Sequence, residues 1–164
     1  LLSALNNKKV DAIVILLVII MSLGMYSGKI GNSFVSKKNY PVEATEWILQ
    51  NLDVKNMKLF NEYNYGSYLL YKGVPVFIDS RADLYAPEFN GKRAENGEYD
   101  GRDIFTDFIK TSSMERYYED TFEKYDITHI ILKKKSKLNT FISNDSGFLE
   151  MYNDDNFVVY ERCK

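Results

Sequence analysis

One histidine, one cysteine, one tryptophan and three prolines in 164 residues leave little material for metal sites or nucleophilic catalysis. A histidine-based metal site or a Ser-His-Asp triad needs several such groups, and His129 has no second imidazole or usable thiol to work with. His129 falls among alternating apolar residues and reads as a hydrogen-bonded or half-exposed strand residue. Cys163, beside the C-terminus, has no internal disulfide partner and does not identify a redox compartment. Gly-x-Gly-x-x-Gly and the P-loop are both absent, so Gly66-Ser67 is no phosphate cradle. An excess of positive charge is missing too. Residues 41–164 hold 16 Lys+Arg against 22 Asp+Glu, a net of −6, which argues against a nucleic-acid surface.

What the chain does have is one long apolar run. Val10 to Tyr26, VDAIVILLVIIMSLGMY, carries a single charge, with lysines on both sides. A bilayer core of about 30 Å asks for about 20 apolar residues. The run is slightly short, but Lys8, Lys9 and Lys29 can snorkel to the headgroups. A buried core helix would show a polar face and Ala12 to Met21 shows none, so a transmembrane helix over 10–28 is expected. Residues 1–9 then read as the end of an upstream loop, 29–40 as a juxtamembrane connector and 41–164 as one soluble domain. The chain opens Leu-Leu-Ser-Ala-Leu without an initiator methionine, the pattern expected of the last membrane helix and C-terminal domain of a longer polytopic protein. Lysine counts either side of the run, taken alone, weakly favour a cytoplasmic domain.

Within the domain, Pro41 followed by Val42, Thr45, Ile48, Leu49 and Leu52 predicts a helix over 41–51. Strands are predicted at 57–63, 76–78 and 127–132, a short helix at 65–71 ending near Gly73, and helical patterns at 104–109 and 114–125. Leu138, Phe141 and Ile142 mark a helical turn. Residues 148–152 and 157–160 around Asn153-Asp154-Asp155-Asn156 predict a β-hairpin. Leu84 to Arg102 has no periodicity and reads as a functional lid or a disordered insertion. The fold class expected is α/β: a small three-layer-like sandwich with a mostly parallel sheet and a C-terminal hairpin, preceded by the membrane helix.

The segment richest in chemistry is Val76 to Tyr85, VFIDSRADLY. An apolar strand there would deliver Asp79, Arg81 and Asp83 to its C-terminal edge, the edge beyond which open parallel sheets bind ligands. Asn61 and Glu62 are expected at the same rim, with the cluster facing the membrane. Such a set can bind a metal, a sugar or a cation, or poise an acid/base pair; equally, it can be an internal ion-pair cluster with Arg81 forked between carboxylates. Lys133, Lys134, Lys135 and Lys137 form a basic run that reads either as a solvated turn or as a contact for anionic headgroups or a lipid-linked phosphate. Asn144-Asp145-Ser146 matches a glycosylation sequon, a pattern short enough to arise by chance.

Three segments occur in a recognisable order: Pro41-Val42-Glu43-Ala44-Thr45-Glu46-Trp47-Ile48, Phe60-Asn61-Glu62-Tyr63-Asn64-Tyr65-Gly66-Ser67-Tyr68-Leu69-Leu70, and Phe77-Ile78-Asp79-Ser80-Arg81-Ala82-Asp83-Leu84-Tyr85. Together they resemble the C-terminal soluble region of bacterial polytopic membrane proteins of the GT-C glycosyltransferase type. Tyr65 stands where that pattern has Trp, and Ser67 and Ser80 replace glycines, which works only where the backbone does not need positive φ. The resemblance implies a transferase moving a sugar from a polyprenyl-phosphate-type donor outside the cytoplasm, and it outweighs the lysine count. Its catalytic carboxylate, and any divalent metal, would belong to membrane portions upstream. The present residues would then form a non-catalytic accessory domain without a cofactor of its own, with the bilayer and the upstream helices as partners. The competing readings are a non-enzymatic extracytoplasmic binding or assembly module, and a tethered hydrolase using Asp79 and Asp83.

Overall fold

The structure is a computed structural model that describes residues 8–27 and 35–163. The chain divides into two units between residues 34 and 35. Among the described residues the first holds α1 (Lys8–Ser27), a helix of 20 residues. Its apolar side chains stay in the open, Ile15 at 60% and Met21 at 66% exposure, and no polar stripe is present to face water. The charges at Lys8, Lys9 and Asp11 leave the uninterrupted apolar part, 12–26, at about 22 Å, under the roughly 30 Å of a bilayer core. Among the described residues no helix is long and apolar enough to cross a membrane. Most of the expected upstream loop, and the connector up to residue 34, lie outside the described residues.

The second unit is a three-layer α/β sandwich. Its helices are α2 (Val42–Asn51), α3 (Tyr63–Tyr71), a short α4 (Pro87–Asn90), α5 (Ile104–Ser112), α6 (Tyr118–Lys124) and α7 (Lys137–Ile142). Its strands are β1 (Leu59–Asn61), β2 (His129–Lys133), β3 (Phe148–Asn153) and β4 (Phe157–Arg162), in the order β1-β2-β4-β3. β1 and β2 are parallel, whereas β2–β4 and β3–β4 are antiparallel. The sheet is therefore mixed, not mostly parallel. The reason lies at residues 76–78, which were expected to be a third parallel strand. Their polar backbone is met by a side chain: Asn61 Oδ1 accepts the Phe77 N–H at 2.8 Å and Asn61 Nδ2 donates to the Ile78 carbonyl at 2.8 Å. One amide replaces a strand ladder, so the segment lies extended without being a strand.

Alternation along the strands sorts the core into two faces. Phe60, Ile130, Leu132, Val158 and Tyr160 face α5, α6 and α7, with Phe108, Phe122 and Ile142 completing that side. Leu59, Ile131, Phe157 and Val159 face α2 and α3, against Ala44, Ile48, Tyr65 and Leu69. Tyr65 is wholly buried; its hydroxyl donates to the Ile131 carbonyl at 2.8 Å, so the polar tip of a core residue is satisfied. Trp47 stacks on Tyr152 at the rim of this layer, ring centroids 5.5 Å apart.

The remaining differences from sequence are local. α6 begins at Tyr118, not near 114, because Met114 adopts φ 64° and breaks the pattern between α5 and α6. The 84–102 stretch, which shows no periodicity in sequence, carries local structure of its own. A 3₁₀ turn (Ala82–Tyr85) and α4 lead into a small antiparallel hairpin bridged at Arg93 and Tyr99. Asn90 closes its base, donating to the Ala86 and Arg102 carbonyls at 2.8 Å each and accepting the Arg102 N–H at 2.6 Å.

Candidate functional site

β1 and β2 end side by side, and the segments leaving them open a cleft of about 320 Å³ beyond their carboxyl ends. This is the edge where open α/β sheets hold ligands. Glu62, Tyr63 and Asn64 form one wall, Leu132, Ser136 and Leu138 a second, and Phe105, Phe108, Ile109 and Ser112 of α5 the third. The lining is mainly apolar with few polar groups, the usual make-up of a small-molecule site. Tyr63 meets Phe105 edge-on, centroids 5.9 Å apart. Ser112 Oγ is, among the described residues, the one buried side-chain polar atom without a hydrogen-bond partner. A buried hydroxyl with no partner costs about 1–3 kcal/mol unless a water or ligand meets it.

Glu62 is the cleft's one carboxylate. Burial pushes its pKa up; the Lys133 N–H at 3.4 Å, the Lys133 charge and the Ser136 hydroxyl pull the other way without cancelling the rise. A carboxyl whose folded pKa is raised holds its proton longer in the folded than in the unfolded chain. Stability is then lost as pH climbs from the unfolded value through the folded one. Glu62→Gln should remove that loss. The variant is expected to match the parent near pH 4 and to exceed its denaturation midpoint at pH 8; a parent that remains the more stable at pH 8 would show that the charged form is the one the fold prefers.

The expected cluster at 79–83 is only partly assembled. Asp79 is fully buried and takes Arg81 in a fork: Nε lies 3.0 and 3.1 Å from the two carboxylate oxygens, Nη2 lies 2.6 Å from Oδ2, and the Arg81 N–H adds 2.8 Å. Asp83 does not join; it sits exposed in the 3₁₀ turn that follows. Asn61 is a backbone pin and Glu62 belongs to the cleft, so the five residues serve three different places. Tyr63 links two of them, its ring in the cleft wall and its hydroxyl on the Ser80 carbonyl at 3.1 Å. The Arg81 hydrogen bonds hold the Asp79 pKa down at about 2 despite its burial, with Tyr85 assisting. That depressed value contributes stability present above the unfolded pKa and lost as pH falls toward 2. In Asp79→Asn, the stability profile should be flatter than the parent's between pH 4 and pH 2. Parallel profiles would mean the pair does not couple to folding.

Sequence reasoning did not anticipate Asp107. This buried carboxylate on α5 receives Arg116 Nη1, Lys124 Nζ at 2.6 Å and the Tyr125 hydroxyl at 2.7 Å. Burial raises its pKa, but the hydrogen bonds of Lys124, Tyr125 and Arg116 together outweigh that and leave it below the ordinary value. α5 is thereby clamped to α6 beside the cleft wall it supplies. The helical spacing Ile104, Phe105, Phe108, Ile109 marked the wall; nothing in the sequence marked its clamp, because the partners come from nine to eighteen residues away. His129 is a half-buried strand residue whose Nδ1 faces Thr128 Oγ1 at 2.9 Å, with burial lowering its pKa. Among the described residues no three His, Cys, Asp or Glu side chains converge as a metal site.

A four-stranded mixed sheet between two helical layers, with a cleft at its parallel end, defines a small α/β domain. In fold it is similar to the C-terminal globular domain of the oligosaccharyltransferase of Archaeoglobus fulgidus. The two superpose with a TM-score of 0.50 over 74% of this chain and 95% of that domain, at 13% identity. No family model matches the chain, and no curated protein does.

Proposed function

We propose that the second unit is the accessory domain of a membrane-bound glycosyltransferase of the GT-C type, carried outside the cytoplasm and tethered by α1. The observation that carries this reading is the shared fold with an oligosaccharyltransferase's C-terminal globular domain, which reaches nearly the whole length of that domain. Two further features support it. The apolar side chains of α1 from Val10 to Tyr26 are exposed along the helix, a surface with no use in water. The cleft at the β1/β2 edge offers aromatic walls, one carboxylate and two serine hydroxyls, a set suited to part of a glycan or of its acceptor. The sugar would come from a lipid-phosphate donor, and chemistry would reside in membrane segments preceding this chain. The domain's own residues position and exclude water.

The test is transfer activity of the membrane-embedded protein carrying Ile109→Trp. Ile109 is half-exposed at the cleft mouth, so an indole there fills the cleft without disturbing the core. Transfer from a polyprenyl-phosphate-linked sugar is expected to fall at least about tenfold, through a raised acceptor KM. Undiminished transfer with normal membrane levels would remove the cleft from the reaction.

A further inference from the structure

The lysine run at 133–137 borders the cleft through Ser136 and through the Lys133 N–H and charge at Glu62, and the structure also gives it company the sequence did not show. The run turns between β2 and α7, the Ser136 N–H donating to the Lys133 carbonyl at 2.9 Å. It lies against the β3–β4 turn, where the Lys134 N–H donates to the Asn156 carbonyl at 2.9 Å. The incoming chain at Lys38 and Asn39, itself turned by the Asn39 N–H on the Ser36 carbonyl, closes the third side. Lys38, Lys133, Lys134 and Lys135, with Asn39, Asn156 and Asp155, line a depression of about 210 Å³. Lys137 is not part of it; it opens α7.

Four lysines thus line one hollow with a single aspartate beside them, on a domain of net negative charge. Among the described residues none of the four is in a salt bridge, although neighbouring Lys37 pairs with Glu43 at 2.6 Å. Asp155, and Glu62 whose carboxyl feels the Lys133 charge, offset only part of four gathered like charges, and the repulsion left over persists over about 8 Å at physiological salt. An anion with several acceptor oxygens relieves it, the amides of Asn39 and Asn156 adding neutral donors. Only ten residues lie in the sequence between the end of α1 at Ser27 and Lys38, so the hollow is joined by a short chain to the apolar helix.

We infer that this depression binds the phosphate of an anionic phospholipid headgroup and holds the domain against the membrane surface. The inference deepens the tethered reading above and rests on it only for choosing lipid as the source of the phosphate. Each lysine near an anionic leaflet is worth about a fivefold gain in partitioning.

The test is amine-reactive labelling, read by mass spectrometry, of the whole chain in phosphatidylcholine nanodiscs and in nanodiscs of mixed phosphatidylcholine and phosphatidylglycerol. Labelling of Lys38, Lys133, Lys134 and Lys135 is expected to slow at least about threefold in the anionic discs, with Lys55 and Lys110 unchanged. In the Lys133→Gln/Lys134→Gln/Lys135→Gln chain, Lys38 should lose that protection. Equal slowing at Lys55 and Lys110, or none anywhere, overturns the site. Equal protection by inorganic phosphate added to phosphatidylcholine discs overturns the lipid source. Should α1 fail to enter discs, vesicle flotation decides: binding to phosphatidylglycerol vesicles but not to phosphatidylcholine ones supports the depression, and binding to neither rejects it.

Discussion

Replacing Asp107 by Ala is expected to destabilise the domain by about 3 kcal/mol, the scale of removing one partner from a buried ion pair. The reason is what remains behind. Arg116 and Lys124, at 31% and 43% side-chain exposure, are turned inward onto the carboxylate, and the Tyr125 hydroxyl loses its acceptor. Partial solvation of the two cations keeps the loss at the lower end of the usual range. For a domain of this size the denaturation midpoint should drop by roughly 10 °C. Asp107→Asn should recover only part of this, since an amide accepts hydrogen bonds but does not balance two positive charges. A thermal scan showing Asp107→Ala within a degree or two of the parent would mean that α5 is held by its apolar face alone, and that the clamp is incidental to the cleft wall.

Gly66→Ala should be comparably severe, at about 3 kcal/mol or more, and for a steric reason. A Cβ on residue 66 would stand 2.0 Å from the Ile78 carbonyl oxygen and 2.9 Å from the Asp79 Cα. Both are backbone atoms of the extended segment that Asn61 pins, so neither can rotate aside. α3 or the 76–79 segment must shift, and with it go the Asn61 bonds and the buried Asp79–Arg81 fork. Ser67→Ala, one residue along, is expected to cost under about 1 kcal/mol, because its hydroxyl meets only Ser80, the Oγ at 2.7 Å and the N–H at 3.3 Å, both on the surface where water can replace it. A chemical denaturation series separates the two substitutions. If both were mild, the close approach of α3 to Ile78 would not be a constraint on the fold.

That pair of neighbours also shows what a resemblance in sequence can carry. Ser67 and Ser80 stand where the related pattern has glycines, and neither adopts positive φ; among described non-glycine residues only Met114 and Asp126 do. Serine is tolerated there because the turn needs no left-handed backbone, and the two hydroxyls bind each other instead. Gly66, between Tyr65 and Ser67, is different in kind: its missing Cβ is what permits contact, a fact about distance across the chain that no local pattern expresses.

Local periodicity was enough for α2, α3, α5, α7 and the terminal hairpin. Each is an apolar face at period 3.6 or 2 bounded by a recognisable breaker, such as Pro41 before α2 or Gly73, with φ 86°, after α3. It was not enough for residues 76–78. Those three apolar residues in an extended chain look like a strand, and whether they are one depends on which groups meet their N–H and C=O. Asn61 supplies those groups from sixteen residues upstream, and the sheet becomes mixed as a result. The chemistry of the 79–83 segment divides for the same reason. Arg81 forks onto Asp79, two residues away and within local reach, whereas Asp83 is carried off by a 3₁₀ turn.

From residue order alone came the apolar helix, the acidic α/β domain after it, the scarcity of histidine and cysteine, and the two charged segments worth attention. Those properties are local, set by composition and by the spacing of side chains along one element. Tertiary structure alone decided that Glu62 faces a cleft with α5, that Asp107 clamps the wall of that cleft, and that Lys38 meets a lysine turn nearly a hundred residues further on. Each of these is a meeting of groups far apart in the chain, and such meetings are settled by how the two faces of the sheet are covered, which no single stretch of sequence contains.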